Sequence, residues 1–157
     1  MPDIPFDGFI DKARVDWAIS QLKPGDRLVF GITPGGNMRE ASRLAEHIRK
    51  NNIDTKANPT SLLQSAAVLA FAAGKKRTAG DGATFMLHRV IDADTGKEDP
   101  QSTEFYIQEL IRYGVSHTVR AAFQQPEGFG FDHRAAKGLG ITNADPERMA
   151  RILGPLE

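Results

Sequence analysis

The chain has 157 residues in which 20 Lys and Arg balance 20 Asp and Glu, so it lacks the basic excess that marks nucleic-acid or anionic-membrane binding. It contains no cysteine, which excludes disulfides, thiolate catalysis and Cys-ligated metal. No stretch approaches the ~20 consecutive apolar residues of a membrane helix, and the length suits one domain, residues 1–157, with a real core.

Met1-Pro2-Asp3-Ile4-Pro5 has neither the charged n-region nor the apolar h-region of a signal peptide, and a cytoplasmic protein is expected. A first helix is predicted from Lys12 to Leu22, with Ala13, Val15, Ala18, Ile19 and Leu22 on one face, broken by Pro24-Gly25-Asp26. Arg27 to Ile32 is a nearly continuous apolar run, as in a strand buried on both faces, and Thr33-Pro34-Gly35-Gly36 ends it. Asn37 and Glu40 then read as N-cap and N3 of a helix whose buried stripe is Ala41, Leu44, Ala45 and Ile48, closed by Asn51-Asn52.

Ile53 to Ala57 is a weak strand, and Asn58-Pro59-Thr60 turns into a second helix, Ser61 to Ala73, apolar nearly all round and therefore buried. Thr84 to His88 is the next strand and Asp92 to Gln101 a polar loop. Glu104 to Phe123 reads as one long amphipathic helix, and Pro126 to Phe131 as irregular. Asp132 starts a short helix, and Asp145-Pro146 opens a final one. Helices alternating with short buried strands imply an α/β domain with a mostly parallel sheet. Sites in such sheets gather at the carboxyl ends of strands, where Gly35-Gly36 and His88 both fall.

Three features bear chemistry. The glycine pair between strand and helix has three readings: a tight turn needing φ > 0, an anion cradle, or an oxyanion hole, where one donor is worth about 3–4 kcal/mol. The Lys-Ser/Thr ending of a phosphate loop is absent. Ser65 is either a spectator in an apolar helix or a nucleophile among small neighbours, with the Ala66 N–H as an oxyanion donor. His88 is either an ordinary half-buried histidine or a base emerging at a strand end, imidazole being the side chain whose unperturbed charge change falls nearest neutral pH. His47, His117 and His133 read as solvated or structural, and no pair of histidines has metal-ligand spacing. No metal and no cofactor are expected.

Leu28-Val29-Phe30-Gly31-Ile32-Thr33-Pro34-Gly35-Gly36 resembles the strand leading into Ser-Pro-Gly-Gly of the Clp protease proteolytic-subunit family, on the ClpP/crotonase-like fold. Gln64-Ser65-Ala66, with Leu69 to Arg77, is similar to that family's nucleophile helix and the basic turn after it. Phe85-Met86-Leu87-His88 is similar to its histidine strand, and Leu139-Gly140-Ile141-Thr142-Asn143 resembles its exit strand. The three motifs recur in order, and the resemblance runs from about Gly8 to Asn143.

The resemblance implies a mostly parallel sheet flanked by helices, with a protruding long helix. It makes Ser65 the nucleophile, His88 the general base, and Gly36 and Ala66 the oxyanion donors. It implies a serine peptidase acting on peptide or unfolded-protein substrates as a homo-oligomer, stacked through the Glu104–Phe123 helix. The family's catalytic Asp lies on a helical segment that this chain lacks, because Phe123-Gln124-Gln125-Pro126-Glu127-Gly128 runs almost directly into Phe129. Gly128 falls nearest the Asp position, Glu127 is the nearest carboxylate to orient His88, and Asp132 reads as a helix cap. The segment before Gly8 is too short for the family's first strand and axial loop, so docking to an unfoldase ATPase is not expected. Two rival readings remain: a crotonase-like enzyme holding an acyl-CoA thioester at the same glycine turn, and a catalytically weak or inactive assembly protein.

Overall fold

The computed structural model describes residues 2–146. In chain order it forms β1 (Asp3–Phe6), α1 (Lys12–Gln21), β2 (Arg27–Thr33), α2 (Met38–Lys50), β3 (Asp54–Gln64), α3 (Ala66–Ala72), β4 (Arg77–Ala79), β5 (Thr84–Leu87), α4 (Pro100–Arg112), a 3₁₀ segment (His117–Gln124), β6 (Phe129–Asp132) and α5 (His133–Leu139). The sheet runs β1-β2-β3-β5-β6, with β4 also paired to β3. Every pairing is parallel except the last, where β6 returns antiparallel to β5. No helix among the described residues is long and apolar enough to cross a membrane.

Local sequence accounts for the first half directly. Asp11 caps α1 through the Arg14 N–H, and the Asn37 side chain accepts the Glu40 N–H at the start of α2. Ala41, Leu44, Ala45 and Ile48 form the buried stripe of α2, as their spacing predicts. On β2 burial alternates: Leu28 and Phe30 are fully buried, whereas Arg27 and Val29 between them are half-buried. Past a register shift after Phe30 the phase reverses, with Thr33 buried and Ile32 61% exposed. The strand is therefore covered deeply on one face, rather than on both. Before it, Asp3–Phe6 forms a strand that the sequence reading did not contain, in parallel register with Arg27–Phe30.

The predicted Ser61–Ala73 helix is corrected. Residues 61–64 continue β3, because Leu62 and Leu63 pair with Ile32 and Thr33 of β2 on one side and with Thr84 and Phe85 of β5 on the other. The ladder shifts register between Phe30 and Ile32, so that Asn58-Pro59-Thr60 makes no pair with β2 and bulges from the ladder within β3. Pro59, which has no N–H to give, falls in this interruption. The Ser61 hydroxyl closes it, accepting from the Asn58 N–H (2.7 Å) and donating to the Phe30 carbonyl (2.6 Å). Helix begins only at Ala66, and α3 is wholly buried. Its Phe71 ring bridges Phe30 and Phe85 in a row of aromatics from Phe6 to Phe131, with successive centroids 5.5–5.8 Å apart.

The single long helix over Glu104–Phe123 is also corrected. Asp99 caps α4, Pro100 occupies its first turn, and the helix ends at Tyr113, after which Gly114 turns at φ 107°. The chain resumes as the 3₁₀ segment capped by Ser116. Rather than protruding, α4 lies against the body through buried Tyr106, Ile107 and Leu110. Phe129–Asp132, read as irregular, is recruited into β6 by the exposed edge of β5. Asp132 caps α5, accepting from the Arg134 and Ala135 N–H groups.

Leu139 to Asn143, read as an exit strand, is instead tied down by Arg77. The buried Arg77 guanidinium donates to the carbonyls of Gly74 (3.0 Å), Gly140 (2.9 Å) and Ile141 (2.8 Å). Burial, with Arg49 adding a smaller repulsion, lowers its pKa from 12.5 to about 10, so it stays charged at neutral pH. The final helix read from Asp145-Pro146 falls almost entirely outside the described residues.

Candidate active site

Ser65 alone makes the turn from β3 into α3. Its backbone sits at φ 54°, ψ −123°, a conformation costing a non-glycine residue on the order of 1–3 kcal/mol. Only Asn52, at a helix end, shares a positive φ among the described non-glycine residues. Three hydrogen bonds hold the turn. The Ser65 N–H donates to the Met86 carbonyl on β5 (2.7 Å), and its carbonyl accepts from the Val68 N–H (2.9 Å) and from the Tyr106 hydroxyl. The side chain is left free of any capping bond and is 8% exposed. The adjacent Ala66 N–H is the first of its helix and so has no partner within it.

The glycine pair closes over this turn. Gly35 (φ 94°) lies so near that a Cβ there would stand 2.8 Å from the Gln64 carbonyl oxygen and 3.0 Å from Ser65 Cβ. Gly36 is bridged to Ile10: the Gly35 carbonyl accepts from the Ile10 N–H (2.8 Å), and the Asn37 N–H donates to the Ile10 carbonyl (2.9 Å). Neither bond uses the N–H of Gly36 itself. A side chain at Gly36 would strike the Ile10 carbonyl oxygen. Both glycines are thus required by close backbone approach as well as by conformation.

His88 follows the last residue of β5 and is half-buried. Its Nδ1 lies 2.8 Å from the Arg89 carbonyl oxygen. A carbonyl can only accept, so Nδ1 carries the proton and Nε2 is left as the basic nitrogen. The loop that presents the ring is anchored twice. The Arg89 side chain donates to the Phe123 (2.6 Å) and Gln124 (3.0 Å) carbonyls and pairs with Glu98 (3.2 Å). The Val90 N–H donates to the Thr103 hydroxyl of α4 (2.9 Å).

Gly36, Ser65 and His88 line one cleft of about 450 Å³, whose other wall includes Met38, Val90 and Ile91. No hydrogen bond joins Ser65 Oγ to His88 in this state. Among the described residues no carboxylate lines the cleft. Glu127, the acid named from sequence, is exposed and makes no bond to His88; the Arg89 carbonyl holds the position an orienting acid would take. The backbone at Gly128 does pass beside His88.

The remaining histidines lie elsewhere. His47 contacts the Leu22 carbonyl (3.2 Å), and His133 lies 3.2 Å from Asp81. Among the described residues no group of three or more His, Asp or Glu side chains is placed to share a metal ion. Tyr106, Arg89 and Thr103 were not found from sequence. Tyr106 gave one signal, a phenol on the apolar face of a helix, which requires a buried hydrogen-bond partner.

No family model matches the sequence, and no curated protein matches it. Among solved structures, the crystal structure of the ClpP protease catalytic domain from Plasmodium falciparum superposes with a TM-score of 0.74 at 21% identity, over 94% of this chain and 86% of that one. The chain therefore has the ClpP-like fold, a mixed α/β domain built on a mostly parallel sheet flanked by helices.

Proposed function

We propose that this protein is a serine hydrolase that cleaves peptide bonds through a Ser65–His88 dyad. The observation that carries the reading is Ser65 at positive φ on a strand-to-helix turn, sharing one cleft with His88 and Gly36. Ser65 Oγ attacks the scissile carbonyl while His88 Nε2 takes its proton. The Gly36 and Ala66 N–H groups receive the developing oxyanion. His88 then protonates the leaving amine and activates the water that hydrolyses the acyl-enzyme. Substrate binding brings Oγ into reach of Nε2, as such contacts commonly tighten only in the complex.

The orienting group here is the Arg89 carbonyl, which fixes the tautomer but carries no full charge to stabilise imidazolium. In a chymotrypsin-type triad, replacing the acid by its amide lowers kcat about 10⁴-fold. We therefore infer a slow peptidase. The apolar wall of Met38, Val90 and Ile91 favours apolar substrate side chains. Association into a homo-oligomer belongs to the same reading, and mass photometry tests it. The chemistry is tested with an active-site-directed fluorophosphonate, which should label wild type at Ser65, label His88→Ala far more slowly, and leave Ser65→Ala untouched. An unlabelled wild-type protein of native circular dichroism refutes it.

A further inference from the structure

The buried hydroxyl of Tyr106 is given to a backbone carbonyl at the one strained residue of the site. Tyr106 is fully buried in α4, its ring edge-on to Phe123 with centroids 5.2 Å apart. The hydroxyl donates to the Ser65 carbonyl, and burial raises the phenol pKa well above its ordinary value, keeping it a donor. A trans peptide is planar, with its C=O and N–H pointing in opposite directions. Whatever fixes the Ser65 carbonyl therefore also aims the Ala66 N–H. With the carbonyl shared between the Val68 N–H of its own helix and the Tyr106 hydroxyl of α4, the Ala66 amide must face away from both.

We propose that Tyr106 is a positioning residue that locks the Ser65–Ala66 peptide with the Ala66 N–H turned toward the cleft. The lock matters because Ser65 is held at φ 54° against its own preference. Rotation of this peptide would relieve the residue and withdraw the donor. One turn earlier on the same face, Thr103 accepts the Val90 N–H from the loop carrying His88. A single helix thus holds both the nucleophile turn and the base loop.

The inference rests on the hydrolase reading only in assigning Ala66 an oxyanion role; the orientation of the peptide is testable without it. Tyr106→Phe removes one oxygen and keeps the ring, so the fold is retained. Two measurements are made on it and on Ile107→Val, a control for generic loss of packing in α4. The first is the Ala66 amide in ¹⁵N–¹H correlation spectra, expected to shift and broaden in Tyr106→Phe and to remain native in Ile107→Val. The second is peptide hydrolysis, where kcat should fall roughly 10²-fold with KM unchanged, the scale of losing one oxyanion donor. A native Ala66 amide in Tyr106→Phe overturns the proposal, as does equal disturbance in Ile107→Val. A disturbed amide confined to Tyr106→Phe, in a chain that neither hydrolyses peptide nor reacts with fluorophosphonate, leaves the lock standing and removes the hydrolase reading instead.

Discussion

Gly35→Ala tests how the glycine turn and the Ser65 turn fit together. The residue sits at φ 94°, and placing an L side chain in the left-handed region costs roughly 1–2 kcal/mol. The added Cβ would stand 2.8 Å from the Gln64 carbonyl oxygen and 3.0 Å from Ser65 Cβ, whereas ordinary contact begins at 3.4 Å. Both neighbours belong to the strained turn and cannot swing aside like the tip of a flexible side chain, so the backbone must move by roughly 0.5 Å. Overpacking of this kind costs about 1–3 kcal/mol. Together the two effects remove about 2–5 kcal/mol of stability, read as a lower urea midpoint at unchanged m value.

The same displacement moves Ser65 relative to His88, and fluorophosphonate labelling should slow on the order of 10- to 100-fold while the protein is still folded. Gly138→Ala provides the contrast. Gly138 lies within α5 with nothing near its added Cβ, and the helix should gain about 0.5–1 kcal/mol. If Gly35→Ala matched wild type in both midpoint and labelling rate, the contact between the glycine turn and the Ser65 turn would not be real.

Arg77→Met leaves the carbonyls of Gly74, Gly140 and Ile141 without their donor, and the expected loss in urea unfolding is about 2–4 kcal/mol. Ser61→Ala opens the bridge between the Asn58 N–H and the Phe30 carbonyl across the bulged segment; a loss of about 1–3 kcal/mol is expected, measured in the same way. Glu104 and Arg120 join α4 to the 3₁₀ segment, and hydrogen bonding to Arg120, then Gln108, lowers the Glu104 pKa from 4.5 to about 2. The depressed folded-state value means that this contribution is present above pH 4.5 and is lost as pH falls toward 2. The melting temperatures of wild type and Glu104→Gln should accordingly differ at pH 6 and converge at pH 2, with the difference at pH 6 shrinking in high salt.

How much was legible in sequence depended on whether the signal was local. The cap of α2 is written in Asn37 and Glu40, and its buried stripe in the 3.6-residue spacing that follows. Residues 61–64 were misread because Ser-Leu-Leu-Gln beside an alanine run has a local preference for helix. Its conformation is decided instead by hydrogen bonds to β2 and β5, far away in the chain. The error bears on the site, since ending β3 at Gln64 is what turns Ser65 from a mid-helix residue into the turn itself. Glu127 was named because it is the carboxylate nearest in the chain to the position the resemblance assigns to the family's Asp; in space a main-chain carbonyl, which no side-chain pattern announces, occupies Nδ1.

By itself, the sequence determined the α/β class, the strand entering the glycine turn, helices α1 and α2, and the candidates Gly36, Ser65 and His88, all through caps, periodicity and the order of short motifs. Only the tertiary structure decided that these three share a cleft, that Ser65 bears positive φ, and that Tyr106 and Arg89 hold the two halves. Local preferences act over a few residues, whereas a site is assembled by pairings across tens of residues. Its strain, tautomer and donor directions are consequences of those pairings.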